Sequence, residues 1–294
     1  MTQTTQFMPG NGKCRTAFVL PGGGSFGAIQ VGMLRALVEN NLVPDFVVGA
    51  SVGALNSAYF CAAADPEGVR RLEQIWRGLR RKDVFPTGMA WLARLVWRGN
   101  ASIATSGLLA LIEKHLPYSR IEDAPIPLYI LATDFISGAP VVLSEGALGE
   151  AILASAAIPA AFPPVMIGGR YLADGALAHK TPLMVAADLG ATRIVLLPVG
   201  FACAITEPPH GAIANAMHAV TLMMARQLFA DVRILGSRVE ISVVPPLCPL
   251  KGSPYSFDNT AGLIDRAYDS TAAWIASGQH ESCDLPQALF PHSH

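Results

Sequence analysis

Charge is scarce in this chain, and cysteine more so. Only 15% of the 294 residues are charged, and the two signs nearly cancel to a formal net charge of −1. Such a balance supplies no electrostatic footprint for nucleic acid, which is therefore excluded as a general partner. The five cysteines, Cys14, Cys61, Cys203, Cys248 and Cys283, are widely scattered, with no CxxC pair and no Cys/His group at zinc spacing. An odd, sparse set argues for a reducing compartment, and no metal or cofactor is read from these spacings. A long apolar run is missing too. The nearest approach, AILASAAIPAAFPPVMIGG, is interrupted by Pro159, Pro163 and Pro164. It falls short of the roughly 18 uninterrupted residues of a spanning helix. The opening MTQTTQFMPGNGK lacks the apolar core of a secretory signal. Together these absences predict a soluble, cytoplasmic protein. What the chain does have is apolar residues, 51% of the total, enough to bury one large core and to exclude disorder.

The pattern of those residues predicts an α/β protein. Thr16 to Leu20 reads as a short strand ending at Pro21, followed by a glycine loop and a helix over 28–40 with an apolar stripe. A second strand, 46–48, ends at Gly49 and runs into SVGALNSAYFCAAA, a helix apolar on nearly all sides and hence central. Strand, tight turn, helix occurs twice within 64 residues, the grammar of a largely parallel sheet. Residues 68–118 read as helical, an insertion over one edge. Further strands are expected at 127–134, 137–144, in RYLADG, and at 193–199 and 239–245, the last two as interior strands. Helices are expected at 146–157, 211–235 and 260–277, with Gly278 as a C-cap. One domain over 14–280 is the simplest organisation, with 1–13 and 281–294 as flexible termini.

Two loops carry the chemistry. Gly49-Ala50-Ser51-Val52-Gly53 has the spacing of a nucleophile elbow. A serine on a sharp strand-to-helix turn is pushed forward, and flanking glycines are needed where a Cβ would collide. The following helix aims its free N–H groups and positive dipole end at the reaction centre. The bland alternative is a helix N-cap serine between packing glycines. The first loop, PGGGSFGAIQ, fits two patterns: Gly22-x-Gly24-x-x-Gly27 of a dinucleotide loop and Gly23-x-Ser25-x-Gly27 of an elbow. The dinucleotide pattern needs an acid at the end of the second strand; Asp45 stands at its start. No GK[ST] follows, so it is not a P-loop. Three successive glycines expose backbone amides suited to negative charge. Turns after neighbouring parallel strands share one sheet edge, so the two loops can meet. Ser51 is therefore assigned as nucleophile and Gly22, Gly23, Gly24 and Ser25 as the oxyanion hole, with Gly27, Gly49 and Gly53 as motif glycines. The alternative for the first loop is a plain helix–sheet packing turn.

The proton acceptor is less well marked. Of seven histidines, none is announced by its surroundings; His179 stands nearest a motif, five residues after Asp174. Asp174 ends a strand, and Gly175 permits a tight turn, so the carboxylate can be rigid, partly dry and more basic. An Asx-turn to its own backbone is the competing role, and Asp134, at another strand end, is the rival carboxylate.

Taken together, Gly22-Gly23-Gly24-x-x-Gly27, Gly49-x-Ser51-x-Gly53 and Asp174-Gly175-Ala176 resemble the bacterial patatin-like phospholipases. The segments LATDFISGAPVVLSEG, ASAAIPAAFPPV and YLADGALAHKTPL resemble the same family's core, and the likeness runs from about Ala17 to Val199. The resemblance implies a three-layer sandwich with a largely parallel central sheet. It implies a Ser51–Asp174 dyad, Asp174 being the general base, that hydrolyses acyl esters without a metal or other cofactor, and an oxyanion bound by the first loop. Many relatives carry Arg where this chain has Phe26, so a phosphate-bearing head group is not implied; lysolipids, neutral glycerides and other acyl esters are equally open. An acyltransferase using the same acyl-serine, or a lipid- or nucleotide-binding module without turnover, are the competing functions.

Residues 70–98 gather Arg70, Arg71, Arg77, Arg80, Arg81, Lys82, Arg94 and Arg98 against only Glu73 and Asp83, with Trp91 and Trp97 among apolar neighbours. Such a segment suits a lid or peripheral membrane contact. A helix with its apolar side on the body and a solvated basic face is the alternative.

Overall fold

A computed structural model describes residues 14–84, 102–159, 161–283, 285–289 and 292. The eight strands among the described residues are β1 (Thr16–Leu20), β2 (Phe46–Ala50), β3 (Leu128–Asp134), β4 (Pro140–Leu143), β5 (Val165–Ile167), β6 (Arg170–Asp174), β7 (Arg193–Leu196) and β8 (Glu240–Val243). The longer helices among the described residues are α1 (Gly27–Glu39), α2 (Val52–Ala62), α3 (Pro66–Gly78), α4 (Ser102–His115), α5 (Leu148–Ser155), α6 (Pro182–Asp188), α7 (Ala212–Leu235) and α8 (Thr260–Ala276).

One sheet holds all eight strands in the order β5-β6-β3-β2-β1-β7-β8, with β4 bonded to β3. The pairs β2–β3, β1–β2, β1–β7 and β7–β8 are parallel, while β4, β5 and β6 join antiparallel. Side chains of adjacent residues on β1 and β2 go to opposite faces, as a strand's two-residue period requires. Phe18, Leu20 and Val47 pack under a layer that includes α1, α2 and α8; Ala17, Val19, Phe46 and Val48 pack against α6 and α7. The molecule is thus a three-layer α/β sandwich with a largely parallel centre. Strands covered on both faces explain the continuous apolar runs in the sequence.

The register around β3 positions everything that follows. β2 runs beside β3 as far as Ala50, opposite Leu131, and β6 pairs with Ala132, Thr133 and Asp134. β4 already occupies the other edge of β3 over 130–133. β6 must therefore lie along the same edge as β2, beginning where β2 stops. The ends of β2 and β6 meet head to head across two successive residues of β3.

Three expectations need correction. β8 is the last strand of the sheet, not an interior one. It reads as apolar because the chain after α8 covers its edge: Ser242 Oγ donates to His280 O at 2.9 Å, and Arg193 Nη2 does so at 3.0 Å. An edge hidden this way needs no charged side chains to protect it. β5 and α6 were not anticipated, being three and seven residues long. Of the insertion expected at 68–118, α3 lies on α1 and α2 rather than over a sheet edge, and α4 lies on α5. α3 buries Val69, Leu72 and Trp76, while Arg70 and Arg71 pair with Glu67, and Arg77 with Glu73 and Asp265. Its basic face is thus partly neutralised on the surface. Trp91, Trp97 and the rest of 85–101 lie outside the described residues. In the C-terminal tail, Gln287–Leu289 forms a short turn with Leu289 buried. No helix among the described residues is long and apolar enough to cross a membrane.

Candidate active site

Ser51 stands between β2 and α2 with φ 55° and ψ −127°. Apart from Asn41, it is the only non-glycine residue with positive φ among those described. A β-carbon in this region costs on the order of 1–3 kcal/mol, so the surrounding structure must enforce it. Part of that enforcement is close packing. A Cβ at Gly53 would lie 1.9 Å from Leu20 O, and one at Gly49 would lie 2.6 Å from both Gly53 O and Ser57 Oγ. Only glycine lets α2 start this tightly against β1. A further clamp is Ser155 at the end of α5. Its hydroxyl donates to Leu131 O at 2.6 Å and accepts the Ser51 amide at 2.8 Å.

Asp174 ends β6 at the junction described above. Ser51 Oγ donates to Asp174 Oδ2 at 2.7 Å. The other oxygen, Oδ1, accepts the Ala176 amide at 2.8 Å. The Asx-turn and the serine contact are therefore made together, one oxygen each. Thr133 Oγ1 donates to Asp174 O at 2.8 Å, fixing the backbone. A Cβ at Gly175 would come within 2.3 Å of Leu131 O, so the turn after Asp174 also requires glycine. Both Ser51 and Asp174 are buried, 5% and 2% exposed. Burial pushes the Asp174 carboxyl up from 3.8 to about 6, against the opposing pull of the hydrogen bonds from Ser51 and Ala176. A carboxylate so poised takes a proton more readily than one in water.

The other candidates are placed elsewhere. Asp134 Oδ1 accepts the amides of Ile136 and Ser137 within its own turn, and these bonds hold its carboxyl below the usual range. His179 is exposed, and its carbonyl accepts from Gln227 Nε2.

The glycine loop crosses over the serine. A Cβ at Gly22 would lie 2.9 Å from Ser51 Cβ and from Met224 Cε. Gly24 has φ 59°, a left-handed turn into the short helical segment Gly24–Phe26. The amides of Gly23 and Gly24 have no hydrogen-bond partner among the described residues, and both residues line a small cleft with Ser51 and Asp174. Ser25 differs. Its amide donates to Pro254 O at 2.7 Å and its hydroxyl to Ser253 O at 3.4 Å. A donor already used cannot serve an oxyanion, so Ser25 anchors the loop, while the Gly22, Gly23 and Gly24 amides have no partner among the described residues. Gly27 seats α1 on its neighbours: a Cβ there would lie 2.4 Å from Val52 Cγ2.

The patatin-like phospholipase family profile matches residues 18–187, more than half of the chain. The chain belongs to the patatin-like phospholipase family. Over 186 residues it is 28% identical to patatin-like phospholipase domain-containing protein 7 of Rattus norvegicus, which aligns with 63% of this chain and 13% of that one. It is 28% identical over 184 residues to the neuropathy target esterase sws of Drosophila melanogaster, covering 62% of this chain and 13% of the relative. An uncharacterised NTE family protein of Mycobacterium bovis is 31% identical over 192 residues, 62% of this chain and 48% of its own. The chain thus spans only a part of the length of these relatives. Among solved structures it is similar to VipD from Legionella pneumophila (14% identity, TM-score 0.45, 90% of this chain and 67% of that one). It is also similar to the ExoU–SpcU complex of Pseudomonas aeruginosa (15%, 0.44, 91% and 52%).

In this patatin-like domain several positioning residues escape motif reading. Ser155 and Thr133 are two. A buried amide relay is another. Gln30 Nε2 donates to Pro21 O at 2.8 Å, Asn56 Nδ2 to Gln30 Oε1 and Gly27 O at 2.9 Å, and Trp76 Nε1 to Asn56 Oδ1 at 2.8 Å. The relay pins both ends of the glycine loop from beneath. Small polar residues inside apolar helices were the available signal, but no spacing rule links them. A second, almost wholly apolar cavity also opens on Gly24 and Ser51; Leu55, Trp76, Leu108, Ile152 and Phe162 are among its walls.

Proposed function

We propose that this protein hydrolyses carboxylic esters of lipids through an acyl-enzyme on Ser51, with Asp174 as the sole proton acceptor and donor. Asp174 takes the hydroxyl proton as Ser51 Oγ attacks the carbonyl carbon. The carbonyl oxygen becomes an oxyanion facing the Gly23 and Gly24 amides and the N-terminus of α2. Collapse breaks the ester bond, and Asp174 returns the proton to the leaving alcohol. A water molecule then gives its proton to Asp174 and attacks the acyl carbon. Collapse of that second intermediate releases the fatty acid and restores the Ser51 hydroxyl. The apolar cavity beside Ser51 receives the acyl chain, since burying hydrocarbon is worth about 0.8 kcal/mol per methylene.

One observation carries this reading: the 2.7 Å hydrogen bond from a strained, buried serine to a buried carboxylate. The family membership supports the ester chemistry, and the apolar walls support a lipid substrate. Turnover of nitrophenyl acyl esters tests it. Ser51→Ala is expected to abolish turnover, Asp174→Asn to lower kcat by about 10³-fold or more, and His179→Ala to leave it intact. Loss of turnover in His179→Ala with retention in Asp174→Asn would contradict the assignment.

A further inference from the structure

The loops that follow β7 and β8 bring together residues that are far apart in sequence. Cys203 lies on the first loop, Cys248 on the second, and His292 in the C-terminal tail. Their sulfur and nitrogen ligand atoms all lie within 4.8 Å of one another. Cys248 Sγ and His292 Nε2 are 3.1 Å apart. Three donors held by one tetrahedral ion at about 2.3 Å (sulfur) and about 2.0 Å (nitrogen) lie roughly 3.5–3.8 Å from each other. The cluster needs little adjustment to reach that geometry.

We propose that Cys203, Cys248 and His292 bind one divalent ion of the zinc type, at a site that shares no residue with the Ser51–Asp174 pair. Two thiolates and an imidazole favour a soft or borderline ion over magnesium or calcium, which prefer oxygen. Binding releases one proton from each thiol to solvent, so two anionic sulfurs balance the ion's charge. Surrounding groups suit the role. The Leu250 amide donates to Cys203 Sγ at 3.4 Å, an outer contact of the sort that steadies a thiolate. The Phe201 ring packs on the His292 ring with centroids 5.5 Å apart. Arg266 Nη2 holds Pro249 O at 2.8 Å, beside Cys248. Cys248 is exposed, leaving a fourth position open to water. Spacing rules miss the site because its three residues come from three separate loops.

The ion ties together segments that back the glycine loop. Val199, before Cys203, sits where a Cβ on Gly23 would be, 2.2 Å away. Ser253 and Pro254, after Cys248, accept the hydroxyl and amide of Ser25.

Cobalt titration of the full chain, stripped with chelator and kept in a non-thiol reductant, tests the proposal. About one equivalent of Co²⁺ should give a thiolate-to-cobalt band and the intense visible bands of a tetrahedral site. Zn²⁺ should displace it. Cys203→Ser and Cys248→Ser should each weaken the thiolate band and together abolish it, and His292→Ala should weaken binding, whereas Cys14→Ser and Cys283→Ser should change nothing. Alkylation of the unmutated protein gives a readout free of folding defects. Zn²⁺ should slow modification of Cys203 and Cys248 by at least about ten-fold while leaving Cys14 and Cys283 unaffected. A spectrum without the thiolate band, a band that survives in the double variant Cys203→Ser/Cys248→Ser, or equal alkylation with and without Zn²⁺ would overturn it.

Discussion

A serine hydroxyl becomes a useful nucleophile only when a base takes its proton, and the base proposed for Ser51 is the buried carboxylate that it hydrogen-bonds. Asp174 must be ionised to act, so kcat/KM for ester hydrolysis is expected to rise with pH through an apparent pKa near 6 and then level. A profile flat from pH 5 to 8 would remove Asp174 from the chemistry. The same burial has a cost in stability. The folded-state pKa is raised from 3.8 to about 6, so between those values the folded protein keeps a proton that the unfolded chain has lost. Stability contributed by this group is present at acid pH and falls as pH rises through that window. Above pH 6 the ionised carboxylate costs on the order of 3 kcal/mol. Asp174→Asn removes that cost. Its urea midpoint should exceed that of the unmodified protein above pH 6, and the gap should close towards pH 4. A gap that does not change with pH would mean that burial is not what perturbs this group.

Among the elements, the junction of β2, β3 and β6 matters most, because one strand sets where two others end. α2 follows β2 directly, and Gly53 seats its first turn against the end of β1. Gly53→Ala places a methyl against Leu20 O, 1.9 Å away before any relaxation. It should destabilise the fold by about 3 kcal/mol or more, read as a shifted denaturation midpoint, with activity lost as α2 moves. Unchanged stability and activity would show that α2 can withdraw without cost. Both strand–turn–helix units were legible in the sequence, because β1, β2 and α2 are apolar runs closed by glycine turns. α6 was not: Thr181 caps it and Pro182 opens it, but seven residues carry too little periodicity to register. β8 was recognised as a strand but not as the edge, since its cover comes from residues near His280. Ser51, Asp174 and the glycine loop stand in short local patterns, and the structure brings the three together. The use of the Ser25 amide by Pro254, and of Ser155 by Ser51, required partners 229 and 104 residues away, which no local pattern encodes.

As a whole molecule, the sandwich among the described residues is open beside Ser51, between α2 and α5 on one side and α7 on the other. Two cavities meet there, at Gly24 and Ser51. Leu108 of α4 is a buried wall of the apolar cavity. Leu108→Trp should fill it and lower kcat/KM for long-chain esters at least about ten-fold relative to short-chain ones. An equal effect on both would place the acyl chain elsewhere. The central claim, a serine activated directly by a carboxylate, is tested most directly by covalent trapping. Intact protein is treated with a fluorophosphonate, and the adduct is mapped by peptide mass spectrometry. The expected result is a single adduct on Ser51, absent in Ser51→Ala and formed about 10³-fold more slowly in Asp174→Asn. An adduct on another residue, or an undiminished labelling rate in Asp174→Asn, would contradict the account.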